Sequence, residues 1–266
     1  MDLLQAIILG VVQGLTEFLP VSSSGHLVLA NYHFGWGSEL PLWVAFATNT
    51  GTLFAVLVYL RADVARAIRG TFTGLVSAEG RRSDDWRLAM LVLAGSIPTA
   101  VIGLALRPVF EHLNAIVPVS IALVVTGIVL WTAPKGGPKD TIRSLTFRDA
   151  VLAGIAQGLA VIPGISRSGA TIALLLWRGA APGIAPRLSF LMYLVVSFGV
   201  AILGADEVLS SGITWGPLLG MTVASFVVGY GALVILFALL RRGRFRVFAP
   251  YLWAVAALTL VRVAFA

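Results

Sequence analysis

The sequence predicts an all-α, polytopic integral membrane protein, and three observations support this: its composition, its uncharged stretches and its basic loops. Of 266 residues, 58% are hydrophobic and 12% are charged, whereas soluble domains carry about 25% charged residues. The apolar runs are continuous rather than alternating, which argues against a β-barrel. The chain lacks cysteine, so disulfides and thiolate metal sites are excluded. The high hydrophobic content and the low charged content exclude an ordinary globular enzyme.

Six stretches carry no charged residue, and we interpret them as full transmembrane helices across a hydrocarbon core of about 30 Å. Tryptophan and tyrosine, including Tyr251, lie near several of their ends, as is typical of membrane interfaces. The last stretch is short. The six are Leu42–Leu60, Leu88–Leu106, Ala115–Ala133, Leu188–Ala205, Ile213–Leu240 and Val247–Val261.

Two further hydrophobic regions are interrupted by polar residues. Residues 2–34 are broken around Glu17, Pro20 and the serines that follow, and residues 150–177 are broken around Pro163 and Arg167. Each region is either one long span with a polar kink or two half-helices that meet near the membrane midplane. Irregular backbone at that depth requires surrounding protein or a water-filled cavity. We favour two re-entrant helical hairpins.

The distribution of basic residues supports the hairpins. If both broken regions turn back, the segments 61–87, 134–148, 178–187 and 241–246 all lie on one side of the membrane and hold 16 of the 19 basic residues. The positive-inside rule assigns that side to the cytoplasm. The resulting prediction is a multi-pass membrane protein whose four basic segments face the cytoplasm and whose two termini face the opposite side. The positive net charge of +7 therefore reflects topology, and we expect no nucleic-acid partner.

A shift of 144 residues aligns the two broken regions without a gap. Between Gly10 and Gly25, 7 of 16 positions are identical, including a Gln-Gly-Leu block and a Ser-x-Ser-Gly block. Three full spans separate the copies, so the pattern predicts an inverted-topology repeat with its site at the repeat interface. The first repeat covers about residues 1–133 and the second about 148–266, in one membrane domain. The alternative is a chance similarity of two glycine-rich kinked helices.

Each break is followed by serines that suit the start of a helix. Ser22, Ser23 and Ser24 precede one apolar segment, and Ser166 and Ser168 precede the other. Helix N-termini present free N–H groups and a positive dipole end, which bind anions such as phosphate. Two such termini facing each other predict an anion-binding cradle.

Ionisable side chains inside these regions are candidates for chemistry. The Arg167 guanidinium matches phosphate oxygens, and its alternative is an arginine that reaches to the membrane interface. Glu17 follows Gln13 by four residues, so both lie on one helix face. Glu17 would hold a divalent cation, act as a base, or form an ion pair with Arg167 without chemistry. Gln13 is otherwise an interhelical hydrogen-bonding residue.

His26 and Ser23 are candidates for nucleophile and proton transfer. The alternative for His26 is a hydrogen-bonded polar residue without chemistry, and the alternative for Ser23 is a helix cap. The spacing does not decide which of the two attacks phosphorus. Asn49, inside a predicted span, would line the cavity or join two helices.

These residues resemble the bacterial undecaprenyl-diphosphatase family, also called bacitracin-resistance proteins, over essentially the whole chain. Residues 13–26, with Glu17, Pro20 and His26, match the family's glutamate motif and the serine–histidine motif after it. Residues 163–171, Pro-Gly-Ile-Ser-Arg-Ser-Gly-Ala-Thr, match its second signature.

The resemblance implies hydrolysis of undecaprenyl diphosphate to the monophosphate, which recycles the lipid carrier of cell-wall synthesis. It further implies that the protein lies in the bacterial inner membrane and that its site opens to the periplasmic side. It places the functional residues on Glu17, Ser23, His26 and Arg167, and implies a divalent cation, Mg²⁺ or Ca²⁺, with Glu17 as its ligand. Gln13 stands where some members carry glutamate, and Asn49 where many carry glutamine. We therefore expect a single carboxylate, with the diphosphate supplying further metal ligands.

The resulting hypothesis is a phosphoanhydride hydrolase with its site inside the membrane. Its partners are a polyprenyl diphosphate substrate and membrane lipids, and a homodimer is one open alternative for its assembly. The rival function is a transporter or flippase for the polyprenyl phosphate that uses the same site. A scaffolding role does not account for the buried ionisable residues. The predicted substrate-binding residues are Gln13, Ser22, Ser24, Asn49, Ser166, Ser168, Gly169 and Thr171.

Overall fold

The computed structural model describes residues 2–34, 42–106, 108, 113–210 and 215–265. These residues form α-helices joined by turns and short 3₁₀ segments, and they contain no β-strand, which confirms the all-α prediction. The α-helices are α1 (Leu3–Phe18), α2 (Ser23–Phe34), α3 (Leu42–Tyr59), α4 (Arg61–Val76), α5 (Asp84–Ala105), α6 (Ile116–Thr132), α7 (Phe147–Leu159), α8 (Arg167–Trp177), α9 (Ala185–Ser210), α10 (Trp215–Arg241) and α11 (Phe248–Ala264).

In the part of the chain that the structure describes, four helices are long and apolar enough to cross a membrane: α5, the Ala185–Ile202 part of α9, α10, and the stretch Phe245–Ala264 that contains α11. A fifth candidate is the pair α3 and α4, which bend by 80° relative to each other. Helix α6 covers the predicted span Ala115–Ala133 and is apolar, but it has 17 residues. The chain is thus a multi-pass membrane protein, with four to five candidate spans among the described residues. The start of the predicted span Ile213–Leu240 lies outside the described residues.

Helix α4 was not predicted. The sequence analysis treated residues 61–87 as a basic loop, but most of this segment is helical. The exposed side chains of Ile68, Phe72 and Leu75 follow helical spacing, whereas Arg66 and Arg69 pair with Asp85 at the start of α5. An apolar stripe beside basic residues is typical of a helix that lies in the membrane interface. Basic composition therefore led to a loop prediction for a segment that is mostly helical.

Each of the two broken regions forms two helices. In the first, Asp2 and Gln5 form a capping box that starts α1, and α1 ends at Phe18. Pro20 follows, and Ser22 has a φ of +71°, a left-handed conformation that ends regular structure. In the second, Gly164 has a φ of +92°. Both regions are therefore interrupted near the polar residues at which the sequence predicts a break.

The two breaks contact each other inside the bundle. The backbone N–H of Gly164 donates to Ser22 Oγ at 3.1 Å, and a Cβ on Gly25 would lie 3.2 Å from the Cα of Gly164. Thr126 of α6 supports the second break, because its hydroxyl donates to Gly164 O at 2.8 Å and accepts from Ser166 N at 3.1 Å. Buried backbone groups that the broken helices release are thereby satisfied.

Glycines let α1 cross α10 closely. A Cβ on Gly10 would lie 2.5 Å from Met221 O, and a Cβ on Gly14 would lie 2.8 Å from Gly229 N. Both distances are shorter than any side chain tolerates, so only glycine fits at these crossings. Small residues four apart are the usual means by which membrane helices approach.

The residues aligned with this pair in the second region have the same role. A Cβ on Gly154 would collide with the backbone of Gly95 in α5, and a Cβ on Gly158 would lie 2.7 Å from Ile102 Cβ. Helix α7 thus packs on α5 as α1 packs on α10. In both regions the first helix after the repeat start is held by a helix from the other half of the chain.

A buried carboxylate fixes the start of α7. Asp149 is fully buried and bonds to Lys139 Nζ at 2.6 Å and Arg178 Nε at 2.8 Å. Burial raises the pKa of the Asp149 carboxyl, but the hydrogen bonds from Lys139, Thr146 and Arg178 outweigh burial and hold the pKa well below its ordinary value. The two basic segments that flank the second broken region are thereby joined at one end of α7.

Candidate active site

Glu17 is the centre of a polar cluster where α1 ends. Glu17 is only 8% exposed and lies among apolar helices. Its Oε2 accepts hydrogen bonds from Ser23 Oγ and, at 2.9 Å, from Gln13 Nε2. Its Oε1 accepts from the Arg167 guanidinium. One carboxylate therefore joins the end of α1 to the N-termini of α2 and α8.

Arg167 is the first residue of α8, and Ser166 caps this helix, since Gly169 N donates to Ser166 Oγ at 3.1 Å. The guanidinium pairs with Glu17, and its central carbon lies 3.6 Å from the ring centroid of Tyr193 in α9. The predicted ion pair between Glu17 and Arg167 is thus present. The alternative of an arginine that extends to the membrane interface does not fit a side chain held on two sides.

Gln13 and Asn49 extend the cluster toward α3. Gln13 Nε2 donates to Asn49 Oδ1 at 3.1 Å as well as to Glu17. Gln13 Oε1 is buried, and no group in the described segments donates a hydrogen bond to it. A buried acceptor without a donor is costly, so this oxygen is suited to an electropositive ligand.

A divalent cation fits this donor set. Within the described residues, no three histidine, aspartate or glutamate side chains cluster to hold a metal by themselves. A carboxylate offers about four acceptor positions, and Glu17 uses three for Gln13, Ser23 and Arg167. One carboxylate with one amide oxygen suits Mg²⁺, which takes its remaining ligands from water and substrate phosphates.

His26 lies one turn beyond Ser23 in α2 and contacts a helix from the far end of the chain. Its Nδ1 lies 2.9 Å from Ser22 O and its Nε2 lies 2.8 Å from the Tyr251 hydroxyl of α11. The two rings are stacked, with centroids 5.7 Å apart. Because a carbonyl only accepts, Nδ1 carries the proton, and Nε2 of the neutral ring accepts from Tyr251. Nε2 is therefore the nitrogen that exchanges a proton.

Several predicted substrate-binding residues are engaged within the protein. Ser22 is buried and bonds across the two breaks, and Ser24 Oγ lies 3.4 Å from its hydroxyl. Ser168 Oγ lies 3.3 Å from Ser166 Oγ and 3.5 Å from Leu19 O. The Thr171 hydroxyl donates to Arg167 O. These residues hold the two helix starts in place.

Two tyrosines at the site were not predicted as site residues. Tyr251 had been interpreted as an interface aromatic, and Tyr193 lay unremarked inside a predicted span. One signal was present in the sequence: Tyr193 follows Asn49 by the 144 residues that relate the two repeats. Asn49 contacts the Glu17 cluster through its hydrogen bond with Gln13, and Tyr193 contacts the cluster through Arg167.

The fold and the cluster define a class of protein: a multi-pass helical membrane protein in which a carboxylate, a guanidinium and a serine are in contact among apolar helices, with a histidine one turn beyond the serine. The family model "Bacitracin resistance protein BacA" matches residues 6–258. The chain belongs to this family.

Curated relatives cover the full length of the chain. An undecaprenyl-diphosphatase of Acaryochloris marina is 65% identical over 264 residues, which cover 99% of both proteins. Undecaprenyl-diphosphatases of Desulfosudis oleivorans and Desulforapulum autotrophicum are 41% and 42% identical, with 98% of both proteins covered in each case. The resemblance inferred from the two motifs is thereby confirmed.

Proposed function

We propose that this protein hydrolyses undecaprenyl diphosphate to undecaprenyl phosphate and inorganic phosphate. The observation that carries the proposal is the shared contact of Glu17 with Ser23 and Arg167, which puts a hydroxyl, a carboxylate and a guanidinium together among apolar helices. The relatives that match 98–99% of the chain are undecaprenyl-diphosphatases. A lipid diphosphate needs both an apolar surface for its tail and fixed positive charge for its headgroup.

Arg167 and the N-termini of α2 and α8 would bind the diphosphate. The guanidinium supplies paired N–H donors that match phosphate oxygens. The helix N-termini add partial positive charge and oriented backbone N–H groups. In phosphoryl transfer such groups stabilise the charge that develops on the transferred phosphate. The polyprenyl tail would lie along the apolar outer surface of the bundle, in lipid.

Ser23 is the nucleophile in this proposal, because its hydroxyl already donates to Glu17. Glu17 takes the proton as Ser23 Oγ bonds to the terminal phosphorus, and the bridging P–O bond breaks to release undecaprenyl phosphate. His26 then takes a proton from water, which attacks phosphorus and breaks the P–Oγ bond. Inorganic phosphate leaves, and the protons held by Glu17 and His26 return to the serine and to solvent.

A divalent cation, Mg²⁺ or Ca²⁺, belongs to the proposal. Glu17 and Gln13 Oε1 would hold it together with diphosphate oxygens, and it would neutralise phosphate charge. This role accounts for the buried Gln13 oxygen, which lacks a hydrogen-bond donor among the residues that the structure describes. Gln13 also fixes the carboxylate orientation through its own hydrogen bond to Glu17.

We further propose six full spans and two re-entrant hairpins in an inverted repeat, in the inner membrane with the site open to the periplasm. The contacts between α1 and α2, between α7 and α8, and between the two breaks support this arrangement. The chain has no cysteine, so single introduced cysteines report sidedness without background. We expect cysteines at Arg82 and Arg242 to react with an impermeant maleimide only from the cytoplasmic side. Labelling of the two from opposite sides contradicts the hairpins.

The activity is tested with purified protein in detergent. We expect release of one phosphate per undecaprenyl diphosphate in the presence of Mg²⁺ or Ca²⁺, because the site provides nucleophile, base and anion-binding groups. Chelation with EDTA should remove most of this activity and added Mg²⁺ should restore it. A protein that binds the lipid and releases no phosphate would be a carrier instead. Full activity in EDTA would exclude the proposed cation.

A further inference from the structure

The ring of Tyr193 forms one wall of the site, directly against Arg167. The residue is 4% exposed, and the central carbon of the Arg167 guanidinium lies 3.6 Å from the ring centroid. This is well within the distance of about 6 Å at which a cation and an aromatic face attract each other. Tyr193 belongs to α9, the helix that follows α8 and its Arg167 along the chain.

Three elements fix the orientation of this ring. The Tyr193 hydroxyl lies 3.3 Å from Thr52 Oγ1 in α3. The ring meets Phe18, the neighbour of Glu17, edge-on, with centroids 6.4 Å apart and planes at 80°. Phe18 in turn meets Phe190 edge-on at 5.5 Å. The ring is therefore a rigid surface whose position is set by α1, α3 and α9 together.

Stacking and ion pairing use different parts of a guanidinium. The ring of Tyr193 covers the face of the Arg167 group, whereas its five N–H donors lie in the plane and are the groups that pair with carboxylate or phosphate oxygens. Glu17 competes with a phosphate for those donors, but an aromatic face does not. A diphosphate can therefore draw N–H groups away from Glu17 while the ring still holds the arginine.

We propose that Tyr193 is a positioning residue that keeps the Arg167 guanidinium plane aligned for the diphosphate when its ion pair with Glu17 loosens. This inference rests on the proposed hydrolysis. It means that an uncharged side chain, Tyr193, contributes to the selectivity of the site for an anionic headgroup. The hydroxyl serves to hold the ring, so the aromatic face is the feature that matters.

The test compares Tyr193→Phe with Tyr193→Leu. Phenylalanine keeps the face, so we expect kcat/KM for phosphate release within about twofold of the wild type. Leucine has no aromatic face, so we expect kcat/KM to fall by about 3- to 30-fold, the range that corresponds to a cation–π contact, and pyrophosphate to bind more weakly by a similar factor. Equal activity of Tyr193→Leu and wild type overturns the proposal, as does an equal loss in Tyr193→Phe.

A double variant separates positioning from packing. In an Arg167→Lys background the ammonium has no planar face to align, so Tyr193→Leu should reduce kcat/KM by a smaller factor than in the wild type. The same factor in both backgrounds would show that the ring only supports packing. Tyr59→Leu is the matched control, because Tyr59 packs on Tyr230 and Phe237, away from the site; we expect unchanged kinetics.

Binding of pyrophosphate tests the role of Tyr193 separately from the proposed hydrolysis, because binding needs no hydrolysis. A wild-type protein that binds pyrophosphate but releases no phosphate from the lipid contradicts the proposed function. The role of Tyr193 is then decided by the Kd values, since an unchanged Kd in Tyr193→Leu overturns it and a weaker Kd supports it.

Discussion

Replacement of Arg167 by alanine is expected to reduce phosphate release by about 10³-fold or more, the loss typical of an arginine that stabilises a transferred phosphate. The side chain contacts Glu17 and lies at the helix start that faces the other break, so its removal takes away the fixed positive charge of the site. The measurement is inorganic phosphate released from undecaprenyl diphosphate by purified protein at saturating substrate. Membrane content and thermal stability of the variant are measured in parallel.

Two further variants distinguish a loss of activity from a loss of folding. Arg167→Ala leaves the buried Glu17 without its counter-charge, which costs stability. Arg167→Lys keeps the charge but loses the planar pair of donors, so we expect a folded protein with about 100-fold lower kcat. Arg69→Ala is the control, because Arg69 pairs with Asp85 at an exposed position and should be silent. Wild-type rates from a folded Arg167→Ala protein would exclude this arginine from the site.

Replacement of His26 by alanine is expected to lower kcat by about 10²- to 10⁴-fold, the contribution of a positioned acid–base group. The hydrogen bond from Nδ1 to Ser22 O sets the tautomer, so Nε2 is the nitrogen that takes a proton in the second step, when water replaces the Tyr251 hydroxyl as its partner. We expect this variant to accumulate phosphate on Ser23, which mass spectrometry of the rapidly quenched protein detects.

His33 provides the matched control for this variant. It lies on the same helix, two turns further, where its ring contacts Arg262 and Thr259 instead of the site. His33→Ala should retain wild-type turnover within about twofold. If His26→Ala shows the same turnover as His33→Ala, the histidine has no part in the reaction. If phosphate is found on no serine in any variant, direct attack by water replaces the proposed intermediate.

Much of the site could be predicted from the sequence because polar residues in an apolar chain are conspicuous. Glu17, Ser23 and Arg167 were identified from their place in broken apolar regions, and the structure brings them into contact. The shift of 144 residues also aligned the two glycines of one close helix crossing with the two glycines of the other. Gln13 and Asn49 were recognised as departures from the family pattern, and their hydrogen bond was not predicted.

Other features could not be predicted because they depend on which helices become neighbours. Tyr193 and Tyr251 lie in or near spans that are apolar on every side, and a face toward lipid is as apolar as a face toward the core. No hydrophobic periodicity therefore identifies the inward face. Helix α4 was missed for a related reason: a segment with many arginines satisfies the positive-inside rule both as a loop and as an interfacial helix.

The sequence by itself determined that the chain is helical and membrane-embedded, where its helices break, and which ionisable groups lie inside it. These properties follow from local composition and from the cost of polar groups in an apolar medium. The tertiary structure decided the partners: Tyr193 against Arg167, Tyr251 against His26, and Ser22 across to Gly164. Each of these contacts joins residues far apart in the chain, and close packing of helices with glycine at their crossings selects them.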